Sequence, residues 1–231
     1  MRALSVCLLL LCPVLSPAKE AQDYAKISCR FLCLETATPP PPLLHITAKG
    51  NEISCTIPTN GLSPASDCYA TGNAIRFLSA TDHKPAATAT IPPNMKAAIL
   101  VFIVAEKAPD ALPWRVFVLE DSAKNFPDGG AFVTNFHTND IRCDIGGTKV
   151  TLHPEEFHGF ARPEPRDAFN MAPVVFEFLQ DDTWRIASES MLRFLPGMRY
   201  LIFAYLDPAT VRPRITTFQD FRAVAKPPPP K

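Results

Sequence analysis

The sequence predicts an all-β protein made of two tandem immunoglobulin-like β-sandwich domains that follow a signal peptide. Three observations support this: a proline-rich composition, short apolar segments separated by turns, and a segment pattern that occurs twice. The chain has 231 residues, with 25 Pro against 9 Gly. Proline breaks helices and is confined in sheets to edges and turns, so long helices are disfavoured. The length suits one large or two small domains.

The first 18 residues have the three-part pattern of a secretory signal peptide. Arg2 supplies a positive start, residues 3–15 are apolar, and Ser16 and Ala18 are the small residues of a cleavage site. The alternative is an uncleaved membrane anchor, but the apolar run is shorter than the roughly 20 residues that cross a bilayer. No later segment is long enough either. We therefore expect an exported protein, periplasmic or extracellular, with no stable membrane span.

The remaining chain contains one pattern of segments twice. Apolar runs at 98–104 and 199–205 are each followed by a strand-like segment that ends in an aspartate, Asp121 and Asp220. A repeat of this size indicates a tandem duplication of a whole small domain. The predicted organisation is a first sandwich, a turn-rich linker, a second sandwich and a Pro-rich tail, at residues 19–121, 122–130, 131–225 and 226–231.

Two β-hairpins are predicted at equivalent places in the two copies. Residues 75–79 and 86–91 flank a polar turn, and residues 174–179 and 184–190 do the same. The runs 98–104 and 199–205 are too short for helices, which makes them candidates for central strands. Counting segments gives about six or seven strands per copy, as in immunoglobulin-like sandwiches.

Cysteine spacing predicts one local disulfide. Two of the seven cysteines lie within residues 1–18, so five remain after cleavage. A bond between Cys55 and Cys68 would close a loop that contains prolines and a glycine. The oxidising environment of an exported protein would permit this bond. The alternative is that the cysteines serve as small buried hydrophobic residues with no bridge.

No catalytic or cofactor motif is recognisable, so we expect no enzyme activity, no cofactor and no metal site. His153 and His158 are five residues apart with proline after the first, which is not the spacing of a helical zinc pair. The balance of 23 basic and 23 acidic residues argues against a nucleic-acid partner. The alternative is an enzyme assembled from distant turns, with His137, His153 and Glu156 as candidates.

The best candidates for ligand binding are the two tryptophans. Trp114 and Trp184 each precede an arginine, and Trp184 with Arg185 could form a stacking and hydrogen-bonding patch. This would suit a carbohydrate-binding module. The alternative is that both indoles serve in packing or at a rim.

A family resemblance spans mainly residues 126–206. It is carried by the stretches 126–135 (FPDGGAFVTN), 141–147 (IRCDIGG), 152–155 (LHPE) and 199–203 (RYLIF). The chain resembles uncharacterised exported tandem β-sandwich proteins of Gram-negative bacteria and, more distantly, the periplasmic adaptors of polysaccharide acetylation. The resemblance implies a sandwich fold and a location in the cell envelope. It implies no catalytic or ligand-binding residues.

The sequence as a whole predicts a non-enzymatic exported protein with a binding or scaffolding role in the cell envelope. The duplicated strand pattern without a catalytic constellation is the reason. Its expected partner is an envelope protein or a polysaccharide.

Overall fold

The computed structural model describes residues 24–34, 43–46, 50–105, 111–207 and 210–221. These residues form sixteen strands and no helix, which confirms the all-β prediction. The predicted signal peptide and Pro-rich tail lie outside the described residues. Within the described ranges there is no helix long and apolar enough to cross a membrane.

The sixteen strands divide into eight before and eight after the segment at residues 121–130. The first half contains β1 (Tyr24–Cys33), β2 (Leu43–Ile46), β3 (Glu52–Cys55), β4 (Ser66–Thr71), β5 (Ala74–Ser79), β6 (Pro85–Thr90), β7 (Ala97–Val104) and β8 (Trp114–Glu120). The second half contains β9 (Ala131–Asn135), β10 (Ile141–Ile145), β11 (Thr148–Leu152), β12 (Phe157–Phe160), β13 (Met171–Gln180), β14 (Thr183–Arg193), β15 (Met198–Asp207) and β16 (Arg212–Phe221).

The two halves share one pairing order. In the first half the strands pair as β4-β1-β7-β8 and β3-β2-β5-β6, and in the second as β12-β9-β15-β16 and β11-β10-β13-β14. The parallel pair β1–β7 has its counterpart in the parallel pair β9–β15. In the first half a bridge between Thr71 and Ala74 joins the two sets of four strands into one sheet.

This order differs from that of an immunoglobulin constant domain, in which strands 1-2-5-4 face strands 3-6-7. Here the third strand of each half pairs with the second, and the first pairs with the seventh. The immunoglobulin-like part of the prediction is therefore not confirmed. The position of an apolar segment in the sequence does not specify which strand it pairs with.

The local strand predictions agree with the structure. Both predicted hairpins form, as β5–β6 and β13–β14. In the second, Asp181 and Asp182 take φ values of 49° and 56°, as a two-residue turn with two left-handed residues requires. The two apolar runs form β7 and β15, each hydrogen-bonded to a strand on both sides.

Three apolar clusters explain why β7 and β15 are continuously apolar. Ala98, Leu100 and Phe102 of β7 face the core of the first half. Alternate residues of the same strand, Ile99 and Val101, face a third cluster between the halves. Strand β15 divides in the same way between the core of the second half and the third cluster. Both strands are thus buried on two faces, and each large side chain buried there contributes about 1.5–3 kcal/mol.

The third cluster, called the shared interface, joins β1, β7 and β8 to β9, β15 and β16. Its buried members are Leu32, Leu34, Ile99, Val101, Leu119, Phe126, Phe132, Leu201, Phe203 and Phe218. Side chains from both halves are mixed in it, so the halves pack through an apolar surface of their own in addition to their two separate cores.

Four charged residues form an ionic cluster at one end of the shared interface. Arg30 of β1 donates two hydrogen bonds to Asp220 of β16, at 3.0 and 2.6 Å. Arg199 of β15 also bonds to Asp220 and reaches Asp121, just after β8, at 3.3 Å. The guanidinium carbon of Arg199 lies 3.7 Å from the centroid of the Phe126 ring. The cluster therefore links both halves and the segment between them.

The cluster is buried, and its charges stay paired. The side chains of Arg199 and Asp220 are 1 % and 2 % exposed. Burial alone would raise the pKa of Asp220, but hydrogen bonds from Arg30 and Arg199 outweigh burial and lower it. Asp220 is therefore an ionised carboxylate inside the protein, where its stability depends on its two arginine partners.

Cys55 and Cys68 are buried free thiols, so the structure does not contain the predicted Cys55–Cys68 disulfide. Cys55 is on β3 and Cys68 on β4, in the two sets of four strands that enclose the core of the first half. A hydrogen bond with Cys29 of β1, together with burial, raises the pKa of Cys68. Burial also raises the pKa of Cys55 to about 12, and the nearby Cys68 contributes to this rise. The thiols behave as the small core residues of the alternative prediction.

Replacing the central carboxylate of the ionic cluster should destabilise the protein strongly. We expect Asp220→Asn to lower the free energy of unfolding by about 3–5 kcal/mol, because it leaves two arginines with only one carboxylate, Asp121, as counter-charge. Asp67→Asn is the matched control, since Asp67 pairs with Lys26 on the surface and such pairs contribute about 0–1 kcal/mol. Urea unfolding would measure both. Equal losses in the two variants would contradict a structural role for the cluster.

Candidate functional site

A cavity of about 540 Å³ opens at the other end of the shared interface and is called the inter-half pocket. Both halves line it, with Leu34, Ile103, Val104, Ala105, Arg115, Phe117, Phe136, Thr138, Glu155, Tyr205 and Leu206. Its volume falls within the range of about 300–1,000 Å³ that is typical of small-molecule sites. Its lining is mostly apolar and aromatic with a few polar groups, as in such sites.

Strand direction places the pocket and the ionic cluster at opposite ends of the interface. Strand β15 begins at the cluster with Arg199 and ends at the pocket with Tyr205. At about 3.3 Å per residue these positions are about 20 Å apart. Strand β7 runs the same way, since Asp121 bonds to the Ala97 carbonyl at its start and Ile103 lines the pocket near its end.

An aromatic stack forms one wall of the pocket. The rings of Phe117, from the first half, and Phe136, from the second, have centroids 4.0 Å apart. Phe136 in turn stacks on Phe203 of the shared interface at 5.6 Å, with planes 8° apart. The wall therefore continues the interface packing outward. Aromatic pairs of this kind contribute about 0.5–1.5 kcal/mol beyond their buried area.

One ion pair between the halves crosses the rim of the pocket. Arg115 of β8 bonds to Glu155, which lies in the turn between β11 and β12. The guanidinium carbon of Arg115 also lies 4.4 Å from the centroid of the Phe117 ring. Both charged side chains are more than half exposed, at 56 % and 64 %. The described lining thus offers one cation against the aromatic wall and one anion beside it.

Asn135, fully buried at the end of β9, positions the second half's side of the pocket. Its side-chain nitrogen donates to the carbonyls of Asn139 and Leu152 at 2.9 and 3.0 Å. Its side-chain oxygen accepts from the His137 amide at 2.9 Å. Its own carbonyl accepts from the Glu155 amide at 2.7 Å. These bonds fix the loop after β9 and the turn after β11, which carry three of the lining residues.

His137, His153 and Glu156, the candidates for an enzyme active site, do not form one hydrogen-bonded group. The His137 ring packs on Phe178 and accepts from the Asn139 amide, and burial lowers its pKa. His153 is exposed and bonds to Asp140 at 2.9 Å, which raises its pKa. Glu156 accepts from the backbone amide of His153, not from its ring. Among the described residues, no group of three or more His, Cys, Asp or Glu side chains could hold a metal ion.

The two tryptophans are not among the residues that line the pocket. Trp114 packs against the core of the first half, whereas its neighbour Arg115 lines the pocket. Trp184 pairs in register with Leu179, and Arg185 pairs with the buried Phe178. Adjacent residues of a strand face opposite sides of the sheet, so Trp184 and Arg185 do not form one patch.

The side chain in contact with the Trp184 ring is Arg142, which no sequence motif indicates. Its guanidinium carbon lies 4.5 Å from the centroid of the Trp184 ring. Glu177 holds the guanidinium with two bonds, at 2.5 and 2.8 Å. Arg142 and Glu177 are opposite each other on β10 and β13, a pairing that requires knowledge of the sheet order.

The residues of the pocket were also missed by sequence reasoning. Phe117 and Phe136 read as ordinary core residues of a strand and its end, and Arg115 was noticed only as the neighbour of Trp114. Glu155 has a φ of 67°, a backbone conformation that glycine favours. No sequence pattern predicts this φ value.

Comparison with protein-family models and with curated proteins finds no match for this chain. The resemblance to exported bacterial sandwich proteins therefore stays a prediction.

Replacing Glu155 by glycine and by glutamine should separate its backbone strain from its charge. Both changes remove the pair with Arg115, but only glycine relieves the left-handed conformation, which costs other residues about 1–2 kcal/mol. We expect Glu155→Gly to be more stable than Glu155→Gln by about 1 kcal/mol in urea unfolding. Glu156→Gly is the control and should be destabilising. A Glu155→Gly variant no more stable than Glu155→Gln would contradict the strained turn.

Proposed function

We propose that this chain is an exported, non-enzymatic binding protein made of two tandem β-sandwiches, and that the inter-half pocket is its binding site. The observation that carries the proposal is the cavity of about 540 Å³ with apolar and aromatic side chains from both halves. Pockets of this kind at domain interfaces are typical small-molecule sites.

The repeated strand pairing supports the two-sandwich organisation. Each half has its own buried core between its two sets of four strands. The shared interface then covers the outer faces of β7 and β15, the equivalent strands of the two halves. The wall formed by Phe117 and Phe136 needs both halves, so neither sandwich alone would have the site.

The chemistry of the lining favours binding over catalysis. Among the described lining residues, the side chains of a type that can serve as nucleophile or base are Thr138, Glu155 and Tyr205. The two charged side chains are paired with each other. The Tyr205 hydroxyl is 3.2 Å from the Thr216 hydroxyl. These polar groups are suited to orienting a ligand.

Two parts of the proposal, export from the cytoplasm and a partner in the cell envelope, are supported by the sequence of residues 1–18 and by the family resemblance. The carbohydrate alternative has less support, because Trp114 packs on a core and Trp184 is covered by Arg142. Sugar-binding sites instead use exposed aromatic faces to stack on the ligand.

Filling the pocket should abolish binding of a neutral apolar probe. We expect N-phenyl-1-naphthylamine to bind the purified protein with increased fluorescence, and Ala105→Trp to weaken binding at least tenfold by occupying the cavity. Ala187→Trp is the matched control, since Ala187 is exposed on β14, and it should bind like the parent. An Ala105→Trp variant that binds like the parent, or a parent that does not bind, would overturn the proposal.

A further inference from the structure

We propose that the inter-half pocket takes an amphipathic monocarboxylate, with its apolar body against Phe117 and Phe136 and its carboxylate on Arg115. This inference rests on the proposed function, and it adds the chemical class of the ligand. A medium-chain fatty acid and an aryl-alkanoic acid are members of this class.

Arg115 has hydrogen-bond donors to offer a ligand. A guanidinium carries five N–H donors in a planar fork. Among the described residues its side chain hydrogen-bonds to Glu155 alone, through one nitrogen. A second carboxylate can therefore bind another edge of the fork while the pair with Glu155 persists. Arginine is well suited to this, because its fork matches carboxylate geometry in a bidentate manner.

The cation, and not the anion, touches the aromatic wall. The Arg115 guanidinium lies over Phe117, and Phe117 lies against Phe136. An apolar ligand body along these rings would bring its polar end to the guanidinium. The Glu155 carboxylate belongs to the turn on the other side of the pair. A cationic headgroup would instead lie beside the positive charge of Arg115.

The charge of the rim limits the ligand to a single negative charge. Arg115 is the one cation among the described lining residues, and Glu155 lies next to it. A dianion such as a phosphate monoester would bring a second negative charge close to the Glu155 carboxylate, and like charges repel. The remaining lining is apolar apart from Thr138 and Tyr205, which fits an uncharged ligand body.

Two variants with opposite expected effects test this assignment. Calorimetric titration would compare decanoate with decanol, which share a chain and differ in the headgroup. We expect Arg115→Gln to weaken decanoate binding at least tenfold and to weaken decanol binding by a much smaller factor, because decanol has no charge for Arg115 to pair with. Glu155→Gln should strengthen decanoate binding several-fold, because it removes the competing negative charge. Arg76→Gln, at an exposed arginine of β5, is the control and should leave both unchanged.

The outcomes separate the ligand class from the pocket. Equal binding of decanoate and decanol to the parent would overturn the carboxylate assignment. Shifts of Arg115→Gln and Glu155→Gln in the same direction would also overturn it, since they would indicate that the ion pair merely holds the rim in shape. If the neutral probe binds and decanoate does not, the ligand class is wrong and the proposed function stands. If neither binds, both are wrong.

Discussion

The ionic cluster of Arg30, Asp121, Arg199 and Asp220 is the constraint on which the arrangement of the two halves depends. Apolar surfaces pack in many ways, but two buried carboxylates and two arginines are tolerated only where each finds its partner. Arg30 of the first half and Arg199 of the second meet at the single carboxylate of Asp220. A slip of one half against the other by one residue would leave charges buried without partners. The cluster therefore sets the register of the shared interface.

That register determines the geometry of the pocket at the far end. Because β7 and β15 both run from the cluster to the pocket, fixing their starts also fixes where they end, about 20 Å away. Phe117 and Phe136 come into contact, and Arg115 reaches Glu155, only in this register. Asn135 then holds the loop and the turn on the second half's side. The site is thus a consequence of how the halves pack.

The local structure was predictable from the sequence, and the site was not. The hairpins and the runs that form β7 and β15 follow from alternation, turn residues and short apolar length. Strand order, however, depends on contacts between distant segments of the chain. For this reason the sequence could not predict the contact of Arg142 with Trp184 or the contact of Phe117 with Phe136. Adjacency in the sequence was misleading for Trp184 and Arg185, which lie on opposite faces of the sheet. Cys55 and Cys68 do lie in one core, but loop length does not determine whether two such cysteines are bridged or free.

If the ionic cluster and the shared interface hold the two halves together, the halves should unfold together. The chain has 2 Trp, and Trp114 reports on the first half while Trp184 reports on the second. Urea unfolding followed by tryptophan fluorescence in Trp184→Phe and in Trp114→Phe gives each half its own signal. We expect transitions with the same midpoint in both variants, after correction for the stability cost of each substitution, which circular dichroism measures. Two separate transitions, with one half folded while the other is not, would contradict this expectation.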